Sequence, residues 1–147
     1  MYIEKSERQS RLLAALYLAQ EQYGWLGPEA IDQVASRLQI SPGKVLSTAS
    51  FYSMMNLQPV GTYLIQICEG LSCYLVGGAG PLLDYLSGQL AINPGETSAD
   101  GHFTLEIVGC LAACGSAPAI RINDVLYENV DQKGLDVLIT RMQLGDL

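Results

Sequence analysis

The sequence predicts an α/β protein: a small β-α-β-β-α sandwich preceded by a short α-helical bundle. Two changes along the chain carry this. Apolar residues recur with a helical period through the first sixty positions, and from Tyr63 onward short β-rich runs alternate with helical ones. A third observation places the chemistry in the second half. The chain's only four cysteines form two tight pairs, Cys68 with Cys73 and Cys110 with Cys114, each just after a predicted strand.

In the first half, Leu12, Leu16, Ala19 and Tyr23 mark one face of a first helix, and Ile31, Val34, Ala35 and Leu38 mark a second. Gly24 to Glu29 breaks the chain between them. Pro28 suits a first helical position, and Glu29 suits the positive end of the helix dipole. Ser41-Pro42 repeats the device as N-cap and first-turn proline, opening a third helix that runs to about Met55. Gln58-Pro59-Val60-Gly61 reads as a linker, which divides the chain into residues 1–60 and 61–147.

In the second half, Tyr63 to Ile67 is a strand that ends directly at Cys68. The Gly77-Gly78-Ala79-Gly80-Pro81 break then leads into a helix marked by Leu83, Leu86 and Leu90. Phe103 to Val108 alternates as a second strand and runs into the second cysteine pair. Ala119 to Ile122 and Val125 to Tyr127 form a hairpin across Asn123-Asp124. Leu135, Leu138, Ile139 and Met142 give a closing helix. A helical crossover joins the first two strands.

Composition bounds the function. With 49% hydrophobic residues the chain can build a core without cross-links, and no apolar run approaches the roughly 20 residues that span a bilayer. Direct membrane insertion is therefore not expected. The mixed charges of Met1 to Arg8 do not resemble a secretory signal, so a cytoplasmic, reducing setting is expected. Charge is unevenly placed. Residues 1–60 balance Glu4, Glu7, Glu21, Glu29 and Asp32 against Lys5, Arg8, Arg11, Arg37 and Lys44. The whole net charge of -7 therefore lies in residues 61–147, where only Arg121, Lys133 and Arg141 are basic. Nothing there would neutralise phosphates, which argues against a nucleic-acid partner.

Four thiolates on two loops suit a metal centre. Structural zinc, a disulfide pair and an iron–sulfur cluster all use this number of cysteines. Zinc knuckles of C-x2–4-C spacing usually sit in very small domains that lack a core of their own, unlike this one. The spacing is not that of the usual ferredoxin runs, and spacing alone leaves zinc and iron–sulfur open. Gly70, Gly77, Gly78, Gly109 and Gly115 crowd the two loops. Glycines let backbone N–H groups approach sulfur, which favours a cluster, although they also mark turns. The Gly77 to Gly80 run lacks the Lys-Ser/Thr of a phosphate loop.

The motifs Cys-x4-Cys-x3-Gly (68–77), Gly-Cys-Leu-x-x-Cys-x-x-Ala-Pro (109–118) and Ile122-Asn123-Asp124 resemble the thioredoxin-like [2Fe-2S] ferredoxin family. Ala19-Gln20-Glu21-Gln22-Tyr23-Gly24-Trp25-Leu26 and the run from Phe51 to Gly61 are similar to one branch of it. That branch is the 24-kDa, or E, subunit of NADH:quinone oxidoreductase, respiratory complex I. The resemblance implies a thioredoxin-like domain behind a helical bundle that docks a partner. It implies one [2Fe-2S] cluster on Cys68, Cys73, Cys110 and Cys114, which serve as metal and cofactor ligands, and no catalytic residue in this chain. It also implies a heterodimer with a larger flavoprotein subunit of the 51-kDa type. That partner would carry FMN and NADH, within a complex on the cytoplasmic side of the membrane. The matching subunits of NAD-linked hydrogenases and formate dehydrogenases are related alternatives, and a free ferredoxin or a zinc module is the reading of a different class. Ala112 stands where family members often have Gly.

Other residues have plainer expectations. His102, the single histidine, follows a turn glycine away from both loops and is read as structural or solvent-facing. Trp25 and Tyr23 are read as bundle core rather than a stacking platform, and Phe51, Tyr52, Met54 and Met55 as internal core, with a partner-docking stripe as the alternative. Glu69, next to the first cysteine, is the acid best placed to make adding an electron harder.

Overall fold

The computed structural model describes Glu7 and residues 9–147, so most of the charged N-terminal stretch lies outside the described residues. Two compact units divide between Val60 and Gly61. No helix among the described residues is long and apolar enough to cross a membrane.

The first unit packs α1 (Leu12–Tyr23), α2 (Pro28–Leu38) and α3 (Pro42–Phe51). Gly24 closes α1 in the left-handed region at φ 78°, which glycine adopts without steric cost. Pro28 opens α2 as expected, with Glu29 in its first turn and Arg37 in its last, each complementing the helix dipole. Leu12, Leu16 and Ala19 meet Ile31, Val34, Ala35, Val45 and Ala49 in one buried cluster. Trp25 is half-buried, and its ring lies over Gly27, where a Cβ would come within 2.8 Å of the indole.

Some expectations change in this unit. Ser41 holds the N-cap position with extended backbone, but its hydroxyl makes no capping bond. The third helix ends at Phe51 rather than near Met55. Beyond it the chain is drawn across the end of α1. The Gln20 side chain donates to the Met54 carbonyl (3.0 Å) and accepts from the Asn56 N–H (2.6 Å), while Leu26 N–H bonds the Asn56 carbonyl (2.7 Å). Those bonds satisfy backbone groups that a longer helix would have used. Phe51 is 81% exposed, against the core reading. Val45 and Ala49 define the buried face of α3, and a residue two beyond Ala49 points to the opposite side. Met55 is buried and Tyr52 is half-buried, whereas Met54 is exposed, again against the core reading.

The second unit has the predicted strands and long helices, which amount to β-α-β-β-β-α rather than β-α-β-β-α because the hairpin contributes two strands, and it adds a short helix. It comprises β1 (Tyr63–Cys68), a short α4 (Leu71–Leu75), α5 (Ala79–Leu90), β2 (Phe103–Val108), β3 (Ile120–Ile122), β4 (Val125–Tyr127) and α6 (Gln132–Leu144). The sheet order is β2-β1-β3-β4. β1 and β2 run parallel from Tyr63 opposite Phe103 to Cys68 opposite Val108, while β1–β3 and β3–β4 are antiparallel. Alternation turns Tyr63, Ile65, Ile67, Phe103, Leu105, Ile120 and Ile122 to one face. There they share a core with Leu82 and Leu86 of α5 and Leu135, Leu138, Ile139 and Met142 of α6.

The opposite face carries a polar ladder across three strands. Arg121 Nε donates to Gln66 Oε1 (2.8 Å), and Gln66 Nε2 donates to Glu106 Oε2 (2.9 Å). Pairing supplies the alignment, because Gln66 is opposite both Arg121 and Glu106, and the buried amide is thereby satisfied. The outer edge of β2 is covered by residues 95–98, through Thr97 opposite Thr104 and the Glu96 carbonyl accepting from Leu105 N–H.

Asn123 turns the hairpin at φ 51°, and its side chain bonds Leu64 N–H and the Thr62 carbonyl. Ala91 ends α5 in the same left-handed region, at φ 53°, where a Cβ is disfavoured. Ala91→Gly is expected to raise stability by about 1 kcal/mol, less what glycine's extra unfolded-state freedom removes. Urea denaturation followed by circular dichroism measures it, and a loss of stability would contradict the cap assignment.

Candidate metal centre

The parallel pairing of β1 with β2 brings both cysteine pairs to one edge of the sheet. Cys68 is the last residue of β1 and stands opposite Val108, the last residue of β2, with Cys110 two residues further on. The ladder continues past the strand, since Glu69 N–H bonds the Val108 carbonyl (2.9 Å), and Cys68 N–H bonds the Ala119 carbonyl (3.2 Å). These bonds tie the approach to the third strand to the same edge. The Ala117–Pro118 peptide bond in that approach is cis.

Two short elements absent from the sequence reading complete the loops. Helix α4 places Cys73 on its inner side, and a 3-10 turn, Cys114–Ser116, packs against α4. Cys68 and Cys73 are buried, Cys110 and Cys114 are exposed, and all four are free thiols. The two inner sulfurs sit in a small apolar cluster of their own with Ala113 and Ala119, bordered by Leu111 and Ala117.

Backbone N–H groups face these sulfurs. Ala112 N–H donates to Cys110 Sγ at 3.2 Å. Burial pushes the Cys68 thiol up, but the amides of Gly70 and Leu111 and the thiols of Cys73 and Cys110 outweigh it and hold Cys68 below the usual thiol range. Cys73 moves the other way. Burial raises it, the Ala119 backbone opposes, and the neighbouring Cys68 and Cys114 sulfurs add to the rise. Burial and the neighbouring sulfurs thus oppose negative charge at Cys73. A metal reverses that penalty, since it binds thiolates and neutralises their mutual repulsion.

The glycines separate by task. At Gly70 a Cβ would lie 3.2 Å from the Gly109 carbonyl oxygen and 3.3 Å from Cys68 Sγ, so a bare backbone lets the loop close on the sulfur. At Gly78 a Cβ would fall 2.1 Å from Pro118 Cγ, which makes this a packing position. Gly77 is a turn residue at φ 69°, whereas Gly109 and Gly115 have open space beside them. Ala112 reaches φ 59° with a Cβ in place, in order to aim its N–H at Cys110.

The donor set fits a thiolate-ligated group. Cys68 neighbours Cys73 and Cys110, Cys73 also lies near Cys114, amides are directed at the sulfurs of Cys68, Cys73 and Cys110, and His102 lies exposed at the other end of β2. Among the described residues no three His, Cys, Asp or Glu side chains draw together as a one-ion site requires. The amides of Leu111, Ala112 and Ala119 could not be found from side-chain chemistry, because any residue carries such an N–H.

The sequence pattern of the thioredoxin-like [2Fe-2S] ferredoxin family matches residues 1–143. The chain is 39% identical over 139 residues to NADH-quinone oxidoreductase subunit 2 of Thermus thermophilus, covering 94% of this chain and 76% of that one. It is 40% identical over 141 residues to the E-type subunit of the NADH-quinone oxidoreductase of Rickettsia typhi, covering 95% and 82%. A solved NAD+-reducing [NiFe]-hydrogenase in the air-oxidised state superposes with a TM-score of 0.82 at 28% identity, covering 92% of this chain. The chain spans only 23% of the length of that hydrogenase chain. With the family's pattern running through both units, this chain belongs to the thioredoxin-like [2Fe-2S] ferredoxins.

Proposed function

We propose that this chain is the electron-transfer subunit of an NADH:quinone oxidoreductase. It holds one [2Fe-2S] cluster on Cys68, Cys73, Cys110 and Cys114 and exchanges single electrons with the FMN of a 51-kDa-type flavoprotein subunit that binds NADH. The two form a heterodimer within a larger complex on the cytoplasmic side of the membrane, and the bundle of residues 1–60 contributes to docking. The observation that carries the reading is that two paired parallel strands deliver both cysteine loops to the same end of the sheet, with Cys68 beside Cys73 and Cys110. When bound, the cluster supplies a one-electron centre beside a two-electron carrier. The chain's own residues do the rest. Buried Cys68 and Cys73 anchor the inner side, the amides of Gly70, Leu111, Ala112 and Ala119 stabilise negative charge on sulfur, and the apolar wall of Ala113 and Ala119 keeps water from that side. A second reading, the equivalent subunit of an NAD-linked hydrogenase, is favoured by the likeness to the NAD+-reducing hydrogenase. The identity of the proteins that co-purify with the chain decides between them.

Anaerobically purified protein is expected to be coloured, with two irons and two acid-labile sulfides per chain and an EPR signal after dithionite reduction. Cys68→Ser and Cys73→Ser are each expected to abolish it. A colourless protein carrying one zinc would overturn the reading. On removal of the cluster, a bulky maleimide should label exposed Cys110 and Cys114 well before buried Cys68 and Cys73, and loading the cluster should protect all four. Mass spectrometry of labelled peptides measures the order.

Glu69 is exposed beside Cys68. A unit charge about 10 Å away in water contributes roughly 0.4 kcal/mol, or about 20 mV for one electron. Glu69→Gln should therefore raise the midpoint potential by about that amount at low ionic strength, and less in high salt. An unmoved potential at low salt would remove local charge as a lever.

A further inference from the structure

We infer that Arg121, held in place by Gln66 and Glu106, is the positive charge that raises the reduction potential of the cysteine-bound centre. The inference rests on the cluster proposed above and gives a task to residues outside both cysteine loops. The polar ladder lies one step from the cysteine site on every strand it crosses. On β1, Gln66 precedes Cys68 by two residues. On β2, Glu106 precedes Val108, the partner of Cys68, by two. Arg121 follows Ala119 by two at the start of β3, and the Ala119 carbonyl accepts from Cys68 N–H. Residues two apart share a face, about 7 Å along the strand. Ile65, Ile67, Leu105, Ile120 and Ile122 alternate with them on the core face. Packing does not call for such a ladder. Gln66 is 2% exposed, and an apolar residue there would leave no polar atom to satisfy. Buried polar and ionic groups of this kind contribute little net stability.

Charge gives the ladder its meaning. Between Lys44 and Arg121 the sequence contains no lysine or arginine, and both cysteine loops fall within that stretch. Lys133 and Arg141 stand on α6, which packs against the core face of the sheet. Arg121 is thus the basic residue of this unit that shares the cysteine face, in the half that carries the whole net charge of -7. The two charged ends of the ladder are not equivalent. Arg121 belongs to the strand entered from Ala119, whose backbone faces the Cys73 sulfur and which shares an apolar cluster with buried Cys68 and Cys73. Glu106 belongs to the strand that runs on to exposed Cys110. A charge acting through an apolar wall is felt more than one acting through water, by about fourfold at an effective dielectric of about 20. The positive end therefore dominates at the buried pair. Taking one electron from the flavin adds one negative charge at the sulfurs and moves no proton in the ladder, so a nearby cation favours the reduced form. Gln66 fixes the guanidinium, and Glu106 accepts from the Gln66 amide nitrogen and so turns its oxygen toward Arg121.

The test is the midpoint potential of the cluster in the full chain, read by EPR during redox titration at low and high salt. Far-ultraviolet circular dichroism is recorded on every variant. Arg121→Gln is expected to lower the potential, and Arg121→Lys, which keeps the charge, to stay nearer the unaltered chain. Glu106→Gln is expected to raise it, and the double variant Arg121→Gln, Glu106→Gln to fall between the two single variants. Because Arg121 is half-buried, its shift should persist in high salt, where that of exposed Glu69→Gln fades. An unmoved potential in Arg121→Gln would overturn the inference and leave the proposed cluster intact. So would a lysine variant displaced as far as the glutamine one, which marks a structural role, or a shift that vanishes in high salt. Should Arg121→Gln not fold, Glu106→Gln decides: a rise supports the inference and an unchanged potential overturns it. An unaltered chain that holds no iron–sulfur cluster brings down the proposed function and the inference together.

Discussion

Everything at the thiol nest depends on the parallel, in-register pairing of β1 with β2. Antiparallel neighbours would place their following loops at opposite edges, whereas parallel neighbours deliver both to the same one. The arrangement requires a long crossover, and α5 supplies it while covering the core face. Register matters equally. Ile67 lies in the core and Cys68 faces the other side, so a one-residue slip of β1 would put the cysteine among the helices and an isoleucine in the nest. The apolar alternation of Tyr63, Ile65 and Ile67 thereby aims a residue that contributes nothing to that core.

Much of this was legible in the sequence because periodicity reports burial directly. The strands, the crossover helix, the hairpin turn at Asn123-Asp124 and the closing helix all follow from patterns of apolar and turn residues. The four candidate cysteines could be picked out as the only clustered thiols. Legibility failed where the determinant was not a local pattern. The third helix stops at Phe51 because Gln20, far away in sequence, captures the backbone at Met54 and Asn56. Phe51 itself was misplaced, since aromatic character indicates burial only on a face that turns inward. Helix α4 was missed because five residues are less than two turns, too few to establish a period.

The site also shows how far glycine counting carries. Five glycines surround the loops, and the structure gives them unlike jobs. Gly70 allows the backbone to close on a sulfur, Gly78 makes room for Pro118 and Gly77 turns the chain. Meanwhile three of the amides that face sulfur belong to Leu111, Ala112 and Ala119. Backbone donors are chosen by conformation, and side-chain identity records that choice only where a Cβ would collide. The Arg121–Gln66–Glu106 ladder has the same character, because a polar residue at position 66 acquires meaning only when three strands are aligned.

The division of the thiols into two buried and two exposed gives the centre an inner and an outer side. Cys68 and Cys73 are held in the wall by packing, while Cys110 and Cys114 stand at its mouth. A group arriving from solvent would therefore meet the outer pair first, and one bound by all four sulfurs would tie the second cysteine loop to the packed wall.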